Sequence, residues 1–109
     1  MSNSFPSLEA LKEGPTVELK VYEVKKDGWP HFLSRWRKIV KLRRAAGFKV
    51  EFAVADIPGH RFIWAVSRDD DFVSQNLDYL NSPDRIAANT ISDYIASFEI
   101  PHVITIPVD

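Results

Sequence analysis

Hydrophobic and polar residues alternate along three stretches of the chain, a period of two that predicts β-strands. These stretches are residues 16–24, 48–55 and 61–67, and a further strand is predicted over residues 102–107. The intervening segment 56–60, with the sequence Asp-Ile-Pro-Gly-His, is rich in turn-forming residues. The second and third strands are therefore predicted to form a hairpin.

The predicted strands have one strongly apolar face, which we expect to pack against helices. The residues assigned to it are Val17, Leu19, Val21, Phe48, Val50, Phe52, Val54, Phe62, Trp64 and Val66. The reverse face mixes polar and apolar residues, namely Glu18, Lys20, Tyr22, Glu51, Ala53, Ile63 and Ala65. Such a half-apolar face favours a partner, and a two-fold homodimer is the commonest way to cover it. Glu18, Lys20 and Tyr22 would then form a polar network at the dimer interface or, alternatively, a general acid/base set.

Between the strands, hydrophobic residues recur at helical spacing. The first helix is predicted to begin at about Trp29, with Pro30 in its first turn, and to end at Gly47. The second follows Asp69–Asp71, whose carboxylates would cap its free amide groups. Its predicted buried stripe consists of Phe72, Val73, Leu77 and Leu80. A further helical stretch is predicted to start at Ser82-Pro83 and to run through Ile86, Ile91 and Tyr94.

The resulting order is β-α-β-β-α-β, which predicts an α+β fold of the ferredoxin-like type. It has a four-stranded antiparallel sheet with both helices on one face. The first and third strands are expected at its centre, as a parallel pair. Residues 1–15 are interpreted as an N-terminal extension, and residues 16–109 as one domain.

The composition is that of one soluble globular domain, with 109 residues of which 45% are hydrophobic and 27% charged. The chain has no cysteine, which excludes disulfides, thiolate metal sites and a cysteine nucleophile. Its N-terminal residues lack the basic and apolar regions of a signal peptide, and no apolar run reaches the roughly 18 residues of a membrane span. We therefore expect a cytoplasmic protein with no membrane partner.

Charge is distributed unevenly between the two halves of the chain. Residues 1–50 contain 11 Lys and Arg against 5 Asp and Glu, whereas residues 51–109 contain 3 against 10. Seven of these basic residues lie between Gly28 and Val50, mostly on the first helix and with no acidic residue among them, namely Arg35, Arg37, Lys38, Lys41, Arg43, Arg44 and Lys49. The acidic second half opposes binding of a polyanion, so no nucleic-acid partner is expected.

One set of residues resembles a known family. The strand Val17–Tyr22, the helix segment Phe32–Trp36 and the following Gly47-Phe48 together look like the NIPSNAP family of the dimeric α/β-barrel superfamily. The resemblance implies a homodimer whose sheets form a barrel with helices outside. It implies no particular reaction, because the superfamily includes cofactor-free monooxygenases, polyketide cyclases, isomerases and haem-degrading enzymes. No nucleotide- or other cofactor-binding motif is visible, and no cofactor is expected.

Three histidines are the candidates for proton transfer or metal binding. His31 and His60 are expected in solvent, on a helix flank and in a turn. His102 lies at the entry to the last strand, beside the first, where it is a candidate base or ligand donor; the alternative is a strand-end histidine bonded to backbone or water, with no functional role. No two histidines have a metal-ligand spacing, so no metal site is predicted.

Two tryptophans and one arginine are the other candidate site residues. Trp36 and Trp64 are predicted to face each other across the gap between helix and sheet, where they would line a ligand site or fill the core. Arg43 lies in the apolar arc of the first helix. Its side chain either extends past the helix end to solvent or is buried beside an anion, including a ligand carboxylate.

These residues support three functional hypotheses. The first is a module that binds a small apolar or aromatic molecule between helices and sheet, with Trp36, Arg43, Trp64 and His102 as ligand-binding residues. The second is a cofactor-free enzyme of the monooxygenase, cyclase or isomerase type that acts on a small aromatic or polyketide-like substrate, with His102 or Tyr22 as acid/base. The third is a structural interaction module.

Overall fold

The computed structural model describes residues 17–104, which form five strands, three α-helices and one 3-10 helix. The strands are β1 (Val17–Val24), β2 (Lys49–Asp56), β3 (Arg61–Ser67), β4 (Ile95–Glu99) and β5 (His102–Val103). The helices are α1 (Trp29–Ala45), α2 (Phe72–Leu80), α3 (Pro83–Ala88) and the 3-10 helix Asn89–Tyr94. The predicted N-terminal extension and positions 105–107 of the predicted last strand lie outside the described residues.

The sheet has the strand order β2-β3-β1-β4, and β5 also pairs with β1. This confirms the predicted ferredoxin-like α+β fold with one additional strand. β4 was not predicted from the sequence. It pairs with the end of β1 and β5 pairs with its start, so the two are one edge strand interrupted around Pro101, whose carbonyl accepts a bond from the Leu19 amide at 2.9 Å.

The two central strands, β1 and β3, are antiparallel, so the expectation of a parallel pair was wrong. The reason lies in the connections. α1 carries the chain back across the sheet, so that β2 runs in the same direction as β1. The hairpin between β2 and β3 then reverses the direction of β3.

The first helix has the predicted boundaries. Pro30 occupies its first turn, where an amide donor has no partner inside the helix. Gly47, just past its end, has φ +94°, a backbone conformation that favours glycine. A Cβ atom there would lie 2.3 Å from Nη1 of Arg68. The helix buries Phe32, Ile39, Val40 and Arg43 against the sheet.

The second helical region begins and breaks near the predicted positions, but two details differ. Asp71 precedes α2 in a left-handed conformation and makes no side-chain capping bond, whereas Ser82 does cap α3 by accepting a bond from the Arg85 amide at 3.4 Å. The buried stripe of α2 is formed by Phe72 and Tyr79. Val73 and Leu77 were assigned to that stripe wrongly and are exposed. The face of α2 that contacts the core is centred on Phe72 and Tyr79, which are seven residues apart.

The faces of β1 are opposite to those predicted. Tyr22 pairs with Phe62, Lys20 with Trp64 and Glu18 with Val66. Phe62 and Trp64 pack against aromatic rings of α1, so their partners on β1 lie beneath the helices as well. The expected interface network of Glu18, Lys20 and Tyr22 is therefore wrong, since these side chains lie in the protein interior.

The sheet face without helices is consequently more apolar than expected. A bulge in β2 between Val50 and Phe52 moves the following residues to the opposite face, so that Phe52 pairs with Ala65 and Val54 with Ile63. We call this surface the open face and define it as Leu19, Val21, Phe52, Val54, Ile63 and Ala65.

Candidate functional site

A charged cluster lies between the sheet and the helices. The Glu18 carboxylate accepts a hydrogen bond from Nζ of Lys20 at 2.5 Å, and its second oxygen lies 3.4 Å from Nε2 of His102. Nη2 of Arg43 is 3.9 Å from the same carboxylate. Glu18, Lys20 and Arg43 are all buried, whereas the His102 side chain is 55% exposed. One carboxylate therefore serves two buried cations and one imidazole.

Arg43 is enclosed by the protein, with only 2% of its surface exposed. Nη1 donates a bond to Oδ1 of Asn76 at 2.6 Å, and the guanidinium carbon lies 4.1 Å from the ring centre of Tyr79 and 4.7 Å from that of Phe48. The alternative in which this side chain extends past the helix end to solvent is wrong. Burial lowers the pKa of Arg43, although Tyr79 and Glu18 oppose this effect.

Lys20 is held in the same interior. Its ammonium lies 5.7 Å from the ring centre of Trp64. Burial lowers the pKa of Lys20, and the nearby positive charges of Arg43 and Arg85 lower it further, against the raising effect of Glu18. The interior around these residues is thus short of negative charge.

A cavity of about 360 Å³ opens between the 3-10 helix and the β1–β4 edge of the sheet. This volume is near the lower end of the roughly 300–1,000 Å³ typical of small-molecule sites. The lining residues come from β1, α3, the 3-10 helix, β4 and the connection to β5, and are Tyr22, Arg85, Asn89, Ile91, Ser92, Ile95, Ala96, Ser97, Phe98 and Ile100. Phe98, 65% exposed, and Ile100 mark its solvent side.

The cavity combines an apolar wall with polar groups. Ile91, Ile95, Phe98 and Ile100 supply the wall, and Tyr22 and Arg85 supply a hydroxyl and a positive charge. Burial raises the pKa of Tyr22 to about 12. At neutral pH the phenol is therefore protonated and acts as a hydrogen-bond donor, and it is not a base.

The predicted site residues have the following positions. Trp36 and Trp64 do meet across the gap between helix and sheet, edge to face at 5.7 Å, and both pack against the core. His102 stands beside Glu18 at the entry to β5, as predicted. Of the residues proposed for ligand binding or catalysis, Tyr22 lines the cavity, whereas Trp36, Arg43, Trp64 and His102 are not among its lining residues. His31 and His60 are exposed, as predicted.

Sequence reasoning missed the residues that line most of the cavity. Arg85 carried one available signal, because it is the last Lys or Arg of the chain and stands alone within an acidic stretch. Phe98 and Ile100 could not be placed without β4. Phe98 lies beside the cavity because it pairs with Tyr22 across the sheet, and the local sequence does not indicate this tertiary contact.

The fold can be compared with known structures. An uncharacterized NIPSNAP-like domain protein from Burkholderia xenovorans superposes with a TM-score of 0.74 at 15% identity, covering 87% of this chain and 88% of that one. A NIPSNAP family protein from Agrobacterium tumefaciens gives a TM-score of 0.72 at 19% identity, covering 88% of each chain.

The chain has the NIPSNAP-like fold. The resemblance predicted from β1 and α1 is thereby confirmed for the fold. A protein with the provisional name antibiotic biosynthesis monooxygenase, from Nitrosomonas europaea, shares this NIPSNAP-like fold with a TM-score of 0.67 at 14% identity, covering 82% of this chain and 88% of that one. No family model and no curated protein matches the sequence.

None of the helices between residues 17 and 104 has the length and apolar character needed to cross a lipid bilayer.

Proposed function

We propose that the protein binds a small, largely apolar or aromatic molecule in the cavity beside β4. The observation that carries the proposal is the cavity itself, in which an apolar wall faces a small number of polar groups. Ligand sites typically combine these two features, since the apolar wall provides affinity and the polar groups fix orientation. The exposed ring of Phe98 is the most accessible part of that wall.

The enzyme hypothesis requires a group that can remove a proton from the substrate. Among the described residues that line this cavity there is no imidazole and no carboxylate. Tyr22 is protonated at neutral pH, as an ordinary phenol is, and burial moves its pKa further from neutrality, to about 12. Binding is therefore the function that the cavity supports best, and the likeness to a protein named as a monooxygenase concerns the fold alone.

We further propose a homodimer formed through the open face, with two sheets packed together as a barrel. Phe52 and Val54 are 44% and 52% exposed there, next to Val21 and Ile63 on neighbouring strands. Contiguous apolar area of this kind favours association with a partner, and a two-fold pairing would cover the same surface on both copies. The cavity lies on the helix side of the sheet, so dimerisation would leave it open.

The binding proposal predicts that filling the cavity prevents binding. Ala96→Phe adds an aromatic ring at an exposed lining position of β4, where strands accommodate aromatic residues. We expect the variant to bind 2-naphthamide at least roughly tenfold more weakly than the wild type in isothermal titration calorimetry.

The matched control is Ala87→Phe, which places the same ring on the exposed surface of α3, away from the cavity lining. It is expected to bind 2-naphthamide as the wild type does. Equal affinity of the wild type and Ala96→Phe for 2-naphthamide, or failure of the wild type to bind any of 2-naphthamide, 2-naphthoate, octanamide and octanoate, would overturn the proposal.

A further inference from the structure

We infer that the cavity selects ligands that carry an anionic group, a carboxylate on an aromatic or aliphatic frame, and that Arg85 is the counterion. The inference rests on the proposed binding function and specifies its ligand class. The shape of the cavity does not determine the charge of its ligand, whereas the charged residues around the cavity do.

The interior beneath the helices holds more positive than negative charge. Among residues 17–104, the buried charged side chains are Lys20, Arg43 and Glu18, and the half-buried Arg85 adds a third cation on the cavity wall. Arg85 lies close enough to act electrostatically on Lys20, Tyr22 and Arg43. A guanidinium stays protonated in proteins, so this excess charge is not removed by loss of protons from the arginines.

Glu18 forms no ion pair with Arg85, and its two oxygens face other partners. One accepts the bond from Lys20 and lies within 3.9 Å of Arg43, and the other faces His102. Arg43 receives only the neutral amide oxygen of Asn76 as a hydrogen-bond acceptor. Within the described residues, no ion pair joins Arg85 to an acidic side chain.

The other polar groups of the cavity are suited to the same ligand. Tyr22 carries a phenol and Asn89 an amide, whereas the hydroxyls of Ser92 and Ser97 already donate to the Asn89 carbonyl and the Glu23 carboxylate. A carboxylate accepts hydrogen bonds from a phenol and an amide and can take two parallel bonds from a guanidinium. The remaining lining is apolar, which matches an amphiphilic acid whose apolar part lies against Ile91, Ile95 and Phe98.

The experiment compares ligands that have the same shape and different charge. 2-Naphthoate is titrated against 2-naphthamide, and octanoate against octanamide, by isothermal titration calorimetry at pH 7.5. We expect the wild type to bind the carboxylate of at least one pair roughly tenfold more tightly than its amide. Arg85→Gln should lower this ratio to about one, because it weakens binding of the carboxylate far more than binding of the amide.

Arg37→Gln is the matched control, because Arg37 is exposed on α1 and is not a lining residue. It should retain the wild-type ratio. Binding of both members of each pair with equal affinity, or an unchanged ratio in Arg85→Gln, would overturn the inference and leave the binding function standing. Failure of all four ligands to bind would reject the binding function, and the inference with it.

Discussion

Glu18→Gln is expected to lower the free energy of unfolding by about 3–5 kcal/mol, the cost of removing one partner from a buried charge pair. The substitution keeps the shape of the side chain and removes the carboxylate that serves Lys20 and Arg43. Arg43 has to remain charged in its enclosed position, so its uncompensated charge is the main cause of the loss. Urea denaturation at pH 7 measures the effect.

The loss of unfolding free energy caused by Glu18→Gln should also depend on pH. Burial already lowers the pKa of Lys20, and loss of Glu18 removes the charge that raises it. At pH values between the lowered pKa of Lys20 in the folded variant and its usual value of 10.5, Lys20 is protonated in the unfolded chain and largely neutral in the folded one. The free energy of unfolding of the variant therefore rises with pH. The difference between variant and wild type should therefore narrow between pH 7 and pH 10.

Glu23→Gln provides the control on the same strand. Glu23 is exposed and accepts a bond from Oγ of Ser97 at 2.9 Å, which a glutamine can also accept. Its expected cost is within about 0.5 kcal/mol, as for most surface substitutions. If Glu18→Gln costs no more than Glu23→Gln, Glu18 is not the counterion of the buried cations.

Val54→Asp is expected to convert a dimer into a monomer. The side chain lies on the open face, and the two-fold symmetry of the proposed interface would bury the new charge twice, without a partner. We expect the dissociation constant to rise by a factor of about 100 or more, since burial of an unpaired charge costs several kcal/mol. Sedimentation velocity over a range of micromolar concentrations measures the mass.

Val73→Asp is the matched control for the dimer. It introduces the same charge at a valine on α2 that is 65% exposed, on the helix side of the molecule. This variant should keep the mass of the wild type. A monomeric wild type, or equal dissociation of the two variants, would show that the open face is not the dimer interface.

Local sequence signals were sufficient where one residue determines the backbone. Pro30 and Gly47 predicted both ends of α1, because Pro30 lacks the amide donor that has no partner in the first turn and Gly47 adopts a positive φ just past the helix end. The hairpin between β2 and β3 was predicted from its turn residues in the same way. These features depend on neighbouring residues alone, and the structure confirms them.

The helix-facing residues of β3 were predicted correctly, but the face of β1 could not be predicted, because alternation does not indicate which side meets the helices. Val17, Leu19 and Val21 are apolar and were assigned to the core. Trp64 contacts Trp36 of α1, and Lys20 pairs with Trp64 on the neighbouring strand. Lys20 therefore lies on the helix side of the sheet as well. The bulge in β2 then reverses the faces of Phe52 and Val54, and nothing in their spacing indicates it.

Only part of the candidate site could be predicted, because its residues meet through tertiary contacts. Arg43 was identified as an anomaly in the apolar arc of α1, and it is indeed buried, but its partner Asn76 lies 33 positions away on α2. The cavity depends on β4, whose short length and proximity to Pro101 concealed it in the sequence. Tyr22 was singled out for acid/base chemistry, whereas its surroundings keep the phenol protonated.

Methyl NMR spectra recorded during a titration with 2-naphthamide locate the bound molecule and so test whether this cavity is the binding site. Binding in the cavity should produce saturable shifts at Ile91, Ile95 and Ile100, which line it, with one molecule bound per chain. The exposed methyl groups of Val73 and Leu77 on α2 should remain unchanged. Shifts confined to Val73 and Leu77, or no saturable shift at the three isoleucines, would contradict the claim that this cavity is the binding site.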